Sequence, residues 1–298
     1  MKFGTILPLF NDRPQKTLDA AREAEALGFD AVFVFDHFFP PGAPSHLPAL
    51  EAFTMLAAIV EVTERVHVGT LVTRASLRPP GLIAKMVSSI DAQSGGRVIL
   101  GMGTGDQIDG PEHEAYGFHT LSLQERRAYL AEAIAALKAL FAGEAWPGGE
   151  HVPPLAGPLL PPPARAGGPP IWVGAQGDAV VRLAASIADG WNGWGMEPPR
   201  FAAKVATLRA AGEEAGREVT AAWAGIVLVG EDAAETDALR EIRAKKGLVD
   251  EAWSGSVDEL IDLVAALRDG GAEWVTVVPA GPADRRRLIG ERVLPAFA

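Results

Sequence analysis

Cysteine is absent from the 298-residue chain. That excludes disulfides, thiol nucleophiles, thiolate-bound zinc and cysteine-ligated iron–sulfur clusters together, and it fits a reducing compartment. Long apolar runs are missing too, and none approaches the roughly 20 residues of a membrane-spanning helix. The opening Met1-Lys2-Phe3-Gly4-Thr5-Ile6 goes straight into a strand pattern, without the charged region, apolar region and cleavage site of a signal peptide. A basic excess is also lacking: 27 Lys and Arg against 38 Asp and Glu leave a formal charge of −11. An acidic chain with no Lys/Arg stripe is a poor nucleic-acid binder, and Arg285-Arg286-Arg287 is too short to serve as a nucleic-acid tract. The expectation is a cytoplasmic protein that engages neither nucleic acid nor membrane.

What the chain does have is apolar character. Hydrophobic residues make up 48% of it, ample for a full core. Short β-rich runs fall at residues 2–7, 30–35, 66–72, 97–102, 171–173, 189–194, 221–229 and 274–278. Helical spacing fills the intervals. In residues 15–27, Leu18, Ala21, Ala24, Ala26 and Leu27 share one side, and Gly28 follows as a stop. Residues 80–93 begin on a proline, which suits a first helical turn. Eight strands, each followed by helical material, predict a closed (β/α)₈ TIM-type barrel of the α/β class, with loop insertions at its C-terminal face, as one domain over residues 1–298. The alternative is two doubly wound domains joined at the Pro- and Gly-rich residues 143–170. Neither half carries a convincing dinucleotide fingerprint, so that stretch reads as a surface excursion.

The most informative stretch is Val32-Phe33-Val34-Phe35-Asp36-His37. Its unbroken apolar run reads as a strand buried on both faces. An unpaired polar group inside such a strand would cost roughly 2–7 kcal/mol. Asp36 and His37 therefore mark its end, and parallel α/β folds keep their chemistry at the C-terminal ends of strands. From the stretch alone, a pair capping the next loop and a reactive pair are both open.

If the barrel closes, the other strand ends converge on the same face. They are Pro8, Leu9 and Phe10; Thr70, Leu71, Thr73 and Arg74; Gly103-Thr104-Gly105-Asp106; Gly174-Ala175-Gln176-Gly177; and Trp191-Asn192-Gly193-Trp194. Such a mouth is rich in glycine, threonine and aromatics and modest in charge. A hydrolytic metal centre needs several His or carboxylates at neighbouring strand ends, so no metal is expected. A glycosidase needs two facing carboxylates about 5–10 Å apart; Asp36 and Asp106 could be forced into that role, but nothing else supports it. The mouth suits a flat, polar-edged ring with a phosphate tail. Gly103 and Gly105 let backbone approach a ligand closely. Gly174-Ala175-Gln176-Gly177 runs from a strand into a helix whose free N–H groups favour an anion. For both glycine loops an ordinary tight turn is the plain alternative. His67 reads as structural, at the far face. His113 is a candidate for lining the site. Its neighbours Glu112 and Glu114 would have to converge with it on one ion, which adjacent residues rarely do. Arg126 and Arg127 read as solvated helix faces.

The ordered motifs Phe3-Gly4, Phe35-Asp36-His37-Phe38, Val68-Gly69-Thr70-Leu71-Val72-Thr73, Arg97-Val98-Ile99-Leu100-Gly101-Met102-Gly103-Thr104-Gly105, Glu114-Ala115-Tyr116-Gly117, Pro169-Pro170-Ile171-Trp172-Val173-Gly174 and Ala188-Asp189-Gly190-Trp191-Asn192 span most of the chain. Together they resemble the luciferase-like monooxygenase superfamily, and within it the branch that uses the deazaflavin cofactor F420. The resemblance implies a cofactor ring lying across the C-terminal mouth, with Asp36 and His37 beside its reactive part. It implies a bulge on the third strand with a non-proline cis peptide at Thr70–Leu71 pressing behind the ring. It also implies Asp106 as a proton donor or acceptor, and backbone at Gly174-Ala175-Gln176-Gly177 meeting the phosphate. The cofactor-binding residues on this reading are Thr70, Leu71, Thr73, Gly103, Thr104, Gly105, Gly174, Ala175, Gln176, Gly177, Trp191 and Asn192. The chain departs from familiar F420 dehydrogenases in two ways: Asp106 is the shorter acid, and residues 143–170 are short and proline-rich rather than a long folded insertion.

The implied reaction is hydride transfer between F420 and a small organic substrate. His37 is the general acid/base, imidazole being the side-chain type suited to proton traffic at neutral pH. Asp36 orients the imidazole or contacts the ring, and Asp106 is the alternative acid. An FMN-dependent monooxygenase using oxygen keeps the fold and changes the flavin. A flavin-binding protein without turnover is a third reading. Arg74, Lys85, Arg182 and Lys204 are possible contacts for an acidic cofactor tail. The resemblance raises the expectation of a homodimer.

Overall fold

Parallel strands alternate with helices from the first residues onward. The structure is a computed structural model and describes residues 1–41, 47–105, 110–245 and 252–298. In chain order the elements are β1 (Lys2–Ile6), α1 (Pro14–Ala26), β2 (Ala31–Val34), α2 (Ala52–Val60), β3 (His67–Arg74), α3 (Pro80–Ser94), β4 (Val98–Gly103), α4 (Gly110–Tyr116) and α5 (Leu123–Phe141). They continue with β5 (Ile171–Gly174), α6 (Asp178–Ile187), β6 (Gly190–Trp194), α7 (Pro198–Glu214), β7 (Thr220–Gly230), α8 (Ala233–Lys245), β8 (Trp253–Ser256), α9 (Val257–Asp269), β9 (Trp274–Pro279) and α10 (Arg285–Arg292). Strands pair in the order β1-β2-β3-β4-β5-β6-β7-β9, and β9 returns to β1, so eight parallel strands close a (β/α)₈ barrel.

Two apolar layers hold it. The inner one draws on strands alone: Ile6, Ala31, Phe33, Leu71, Ile99, Trp172, Ala222, Ala224 and Trp274 fill the barrel. Phe33 is fully buried there, which contributes about 1.5–3 kcal/mol. It fits because Gly4 and Gly69 flank it; a Cβ on Gly4 would stand 3.0 Å from the Phe33 ring. The outer layer combines alternate strand residues, Val32 and Val34 among them, with the inward faces of the helices. Capping is local and readable. Ser122 with Glu125 and Ser256 with Glu259 form capping boxes on α5 and α9. Gly95, at φ 68°, ends α3 in the left-handed region.

One strand was not anticipated. β8, Trp-Ser-Gly-Ser, lacks an apolar run and pairs only with the last residues of β7, from Val227 to Gly230, beyond the barrel proper. The 11-residue β7 serves both partners, its first part lying against β6 and β9. Residues 143–170 are tied to the barrel's outer helices. Glu132 of α5 accepts three backbone N–H groups, from Glu150, His151 and Val152. Asp91 of α3 accepts the Ala164 N–H at 2.9 Å, and Trp146 bridges to Leu155.

Candidate active site

β2 is buried along its whole length, so Asp36 and His37 are the first ionisable groups at its exit. β3, its neighbour, supplies their surroundings. Thr73 donates its hydroxyl to Asp36 Oδ2 at 2.5 Å. Arg78, in the turn before α3, donates to both Asp36 oxygens, at 2.5 and 3.0 Å. Its Nη2 also reaches Glu51 at 2.7 Å, and Glu51 in turn caps the N-terminus of α2. Asp36 is therefore spent on the scaffold. Among the described residues no hydrogen bond joins it to His37, contrary to the expectation that it orients the imidazole.

That contact belongs to Glu112 of α4. Its Oε1 lies 2.7 Å from His37 Nδ1. Its Oε2 accepts the Phe38 N–H at 3.1 Å and Arg74 Nη2 at 2.5 Å. The Glu112 side chain is 1% exposed and the His37 side chain 20% exposed. Burial alone would raise the Glu112 carboxyl; the His37 bond, the Arg74 charge and the Phe38 N–H overcome it and hold the group below the ordinary glutamate value. A carboxyl depressed in the fold stabilises it above the unfolded value, about 4.3, and that contribution is lost as pH falls through the folded value. Hydrogen-exchange protection of the Phe38 amide is thus expected to hold from neutral pH down to that range and to fall only below it. A decline already complete above pH 6 would contradict the assignment.

The mouth inside this ring of ion pairs is aromatic. Phe35 stacks on Phe10 at 6.0 Å, meets Trp194 edge-on at 5.8 Å, and meets His37 edge-on at 6.3 Å. Between Thr70 and Thr73 the β3–β4 register shifts, and the non-proline cis bond in that bulge is Leu71–Val72, one residue later than expected. The shift turns two successive side chains into the barrel: Leu71 is part of the inner core and Val72 packs on top of it. Room for Val72 comes from glycine. A Cβ on Gly101, Gly103 or Gly174 would stand 3.2, 2.8 or 3.0 Å from its methyl groups. Gly103 thus clears a side chain. Gly105, at φ 76°, does need a glycine backbone.

The other expected cofactor residues divide. Thr70 is buried and donates to Gly101 O, and Thr73 is buried and donates to Asp36, so both hydroxyl protons are engaged by the scaffold. Trp191 is fully buried in the outer layer, stacked on Phe201, with Nε1 donating to Ala175 O. Asn192 is 3% exposed, and its Nδ2 has no hydrogen-bond partner among the described residues. Gly174, Ala175, Gln176 and Gly177 do lead from β5 into α6, and the Cβ position of Gly177 is open. Thr104 O is 3.5 Å from Arg126 Nη1. Contrary to the solvated-face reading, Arg126 and Arg127 have buried Nε atoms without partners among the described residues. Of the proposed tail contacts, Arg74 is used by Glu112, Lys204 pairs with Asp178 and Lys85 donates to Leu160 O. Asp106 lies outside the described residues. His113 is buried edge-on to Phe118, and His67 sits at the start of β3 against Trp274.

Sequence reasoning missed Arg78 and weighed Glu112 only as a metal ligand. The signal for Arg78 is slight: a cation just before Pro79-Pro80, at the mouth side of α3. For Glu112 it is an acid opening a short helix close to the β4 exit.

A family model described as luciferase-like monooxygenase matches residues 1–273. An F420-dependent glucose-6-phosphate dehydrogenase of Microbacterium testaceum is 33% identical over 69% of this chain and 60% of its own length. A 5,10-methylenetetrahydromethanopterin reductase of Methanolobus tindarius is 28% identical over 78% of this chain and 67% of its own. The matched spans thus cover about three-fifths to two-thirds of those relatives. In fold, the chain superposes on an F420-dependent secondary alcohol dehydrogenase in complex with an F420-acetone adduct, with a TM-score of 0.86, 20% identity and coverage of 100% and 99%. It superposes on a monooxygenase from Streptomyces bottropensis with a TM-score of 0.80, 23% identity and full coverage of both chains.

Proposed function

Because the chain belongs to the luciferase-like monooxygenase family, we propose that it is an F420-dependent oxidoreductase, moving a hydride between the deazaflavin and a small organic substrate. The observation that carries the reading is the placement of His37: the imidazole stands at an aromatic barrel mouth, held through Nδ1 by a buried carboxylate. Relatives named for F420 dehydrogenase and reductase activities support the cofactor.

The described residues fit such a group. Phe10, Phe35, Trp194 and Val72 offer apolar faces to a flat ring. Asn192 Nδ2, without a partner among the described residues, would supply a donor for its polar edge. The α6 N-terminus behind Gly177 and the Arg126 guanidinium beside Thr104 offer positive potential to a phosphate or acidic tail. When bound, the deazaflavin supplies the hydride chemistry. His37 exchanges the accompanying proton with the substrate oxygen, and the aromatic wall keeps bulk water from the transfer. Asp106 is the second acid of this reading. A cytoplasmic location and homodimeric assembly complete it, supported by the cysteine-free composition and by the family resemblance.

Titrating the purified protein with F420 and with FMN tests the assignment. Saturable binding of F420, with spectral perturbation of the deazaflavin, and reduction of bound F420 by a small alcohol are expected. Saturation by FMN alone, with FMN-dependent oxygen consumption, would replace this reading by the monooxygenase.

A further inference from the structure

The Glu112 carboxylate has its two oxygens divided between different tasks. Oε2 receives two donors that cannot change sense: the Phe38 backbone N–H at 3.1 Å and Arg74 Nη2 at 2.5 Å. Among the described residues, Oε1 meets the His37 ring alone, at 2.7 Å from Nδ1. A carboxylate is an acceptor, so Nδ1 is the nitrogen that carries the proton in the neutral ring, and Nε2 holds the lone pair. We propose that Glu112 is the positioning residue of this site, acting through His37: it fixes the ring's tautomer and plane so that Nε2 is the atom that takes up and returns the substrate proton. Arg74 and Phe38 N–H hold the carboxylate in register, and Arg74 is fixed in turn against the face of the Phe38 ring, 5.9 Å from its centre. The acid–imidazole unit of the barrel is therefore Glu112–His37, assembled between α4 and the exit of β2, rather than the sequence-adjacent Asp36–His37.

The division of the oxygens makes the test specific. In Glu112→Gln the amide carbonyl must face the two fixed donors, because turning it would set an NH₂ against an N–H and a guanidinium. The NH₂ then points at His37 Nδ1 and donates to it, forcing the neutral ring into the opposite tautomer, with its proton on Nε2. The proposal rests on the hydride-transfer reading, so the first measurement is independent of turnover. In ¹⁵N-labelled wild-type protein, ¹⁵N–¹H correlation spectra of the neutral His37 ring are expected to show the proton on Nδ1. A predominant Nε2–H tautomer in the wild type would overturn the proposal even if the glutamine variant does not fold. The second measurement compares kcat with KM and F420 affinity. Glu112→Gln is expected to invert the ring pattern and to lower kcat by on the order of 10²-fold or more, the contribution of positioned acid–base catalysis, with F420 affinity and substrate KM little changed. An unchanged kcat, or an equal loss of F420 binding and kcat, would assign Glu112 a structural role only. If the wild type shows the Nδ1–H ring but neither binds nor turns over F420, the positioning holds and the cofactor reading falls.

Discussion

His37→Ala is expected to lower turnover by roughly 10²–10⁴-fold while F420 still binds. His37 stands at a strand exit where the scaffold spends a buried, charged side chain on an imidazole, and the ring meets Phe35 edge-on at the barrel mouth. Ring binding draws on other residues: the Phe10–Phe35–Trp194 surface, Val72 over its three glycines, and the N-terminus of α6. Removing the imidazole therefore deletes proton transfer without dismantling that surface. The loss should appear in kcat, with the F420 dissociation constant close to that of the wild type. His37→Ala turning over at the wild-type rate would remove His37 from the chemistry. A variant that no longer binds F420 would place it among the ring contacts instead.

The barrel was legible because its signals are periodic and redundant. Eight apolar runs repeat at βα spacing, and a buried parallel strand has few other ways to be written. β8 escaped because it answers only to the far end of β7, and four small or polar residues around one tryptophan carry no period. The site was legible by position and not by partner. That Asp36 and His37 end a buried strand follows from the cost of burying polar groups. Which partner each of them meets depends on α4, which carries Glu112, and on the turn before α3, which carries Arg78, both distant in sequence. The same limit explains the one-residue error in the cis bond. A bulge inserts one residue into β3, and composition alone does not say whether the break falls before or after Leu71. The threonines misled for a related reason. Near a strand end a hydroxyl reads as a ligand donor, yet Thr70 and Thr73 are consumed by Gly101 O and Asp36.

The Asp36–Arg78 pair gives the largest expected effect on stability. Both side chains are nearly sealed, 2% and 11% exposed, and the guanidinium meets both carboxylate oxygens. Breaking such a pair leaves one charge buried without compensation, which typically costs about 3–5 kcal/mol. Arg78→Met keeps the aliphatic stem over Phe53, where the guanidinium now lies 4.9 Å from the ring centre, and removes only the charge and its donors. Denaturant unfolding of Arg78→Met is expected to show a loss of that size, and Asp36→Asn a smaller one, because the amide retains an acceptor for Arg78 and Thr73. Their double variant should fall well short of the sum, since once one charge is gone the other's removal relieves a penalty. Strict additivity, or a loss under about 1 kcal/mol for Arg78→Met, would class the pair with exposed ion pairs. The consequence reaches the site through the backbone. Asp36 precedes His37 directly, and Arg74 Nη2 lies 3.4 Å from Asp36 O. Loosening the Arg78 anchor therefore frees the segment that presents the imidazole to Glu112. Arg78→Met should accordingly lower kcat as well as stability, whereas a core cavity elsewhere in the barrel, of equal cost in unfolding, should leave kcat unchanged.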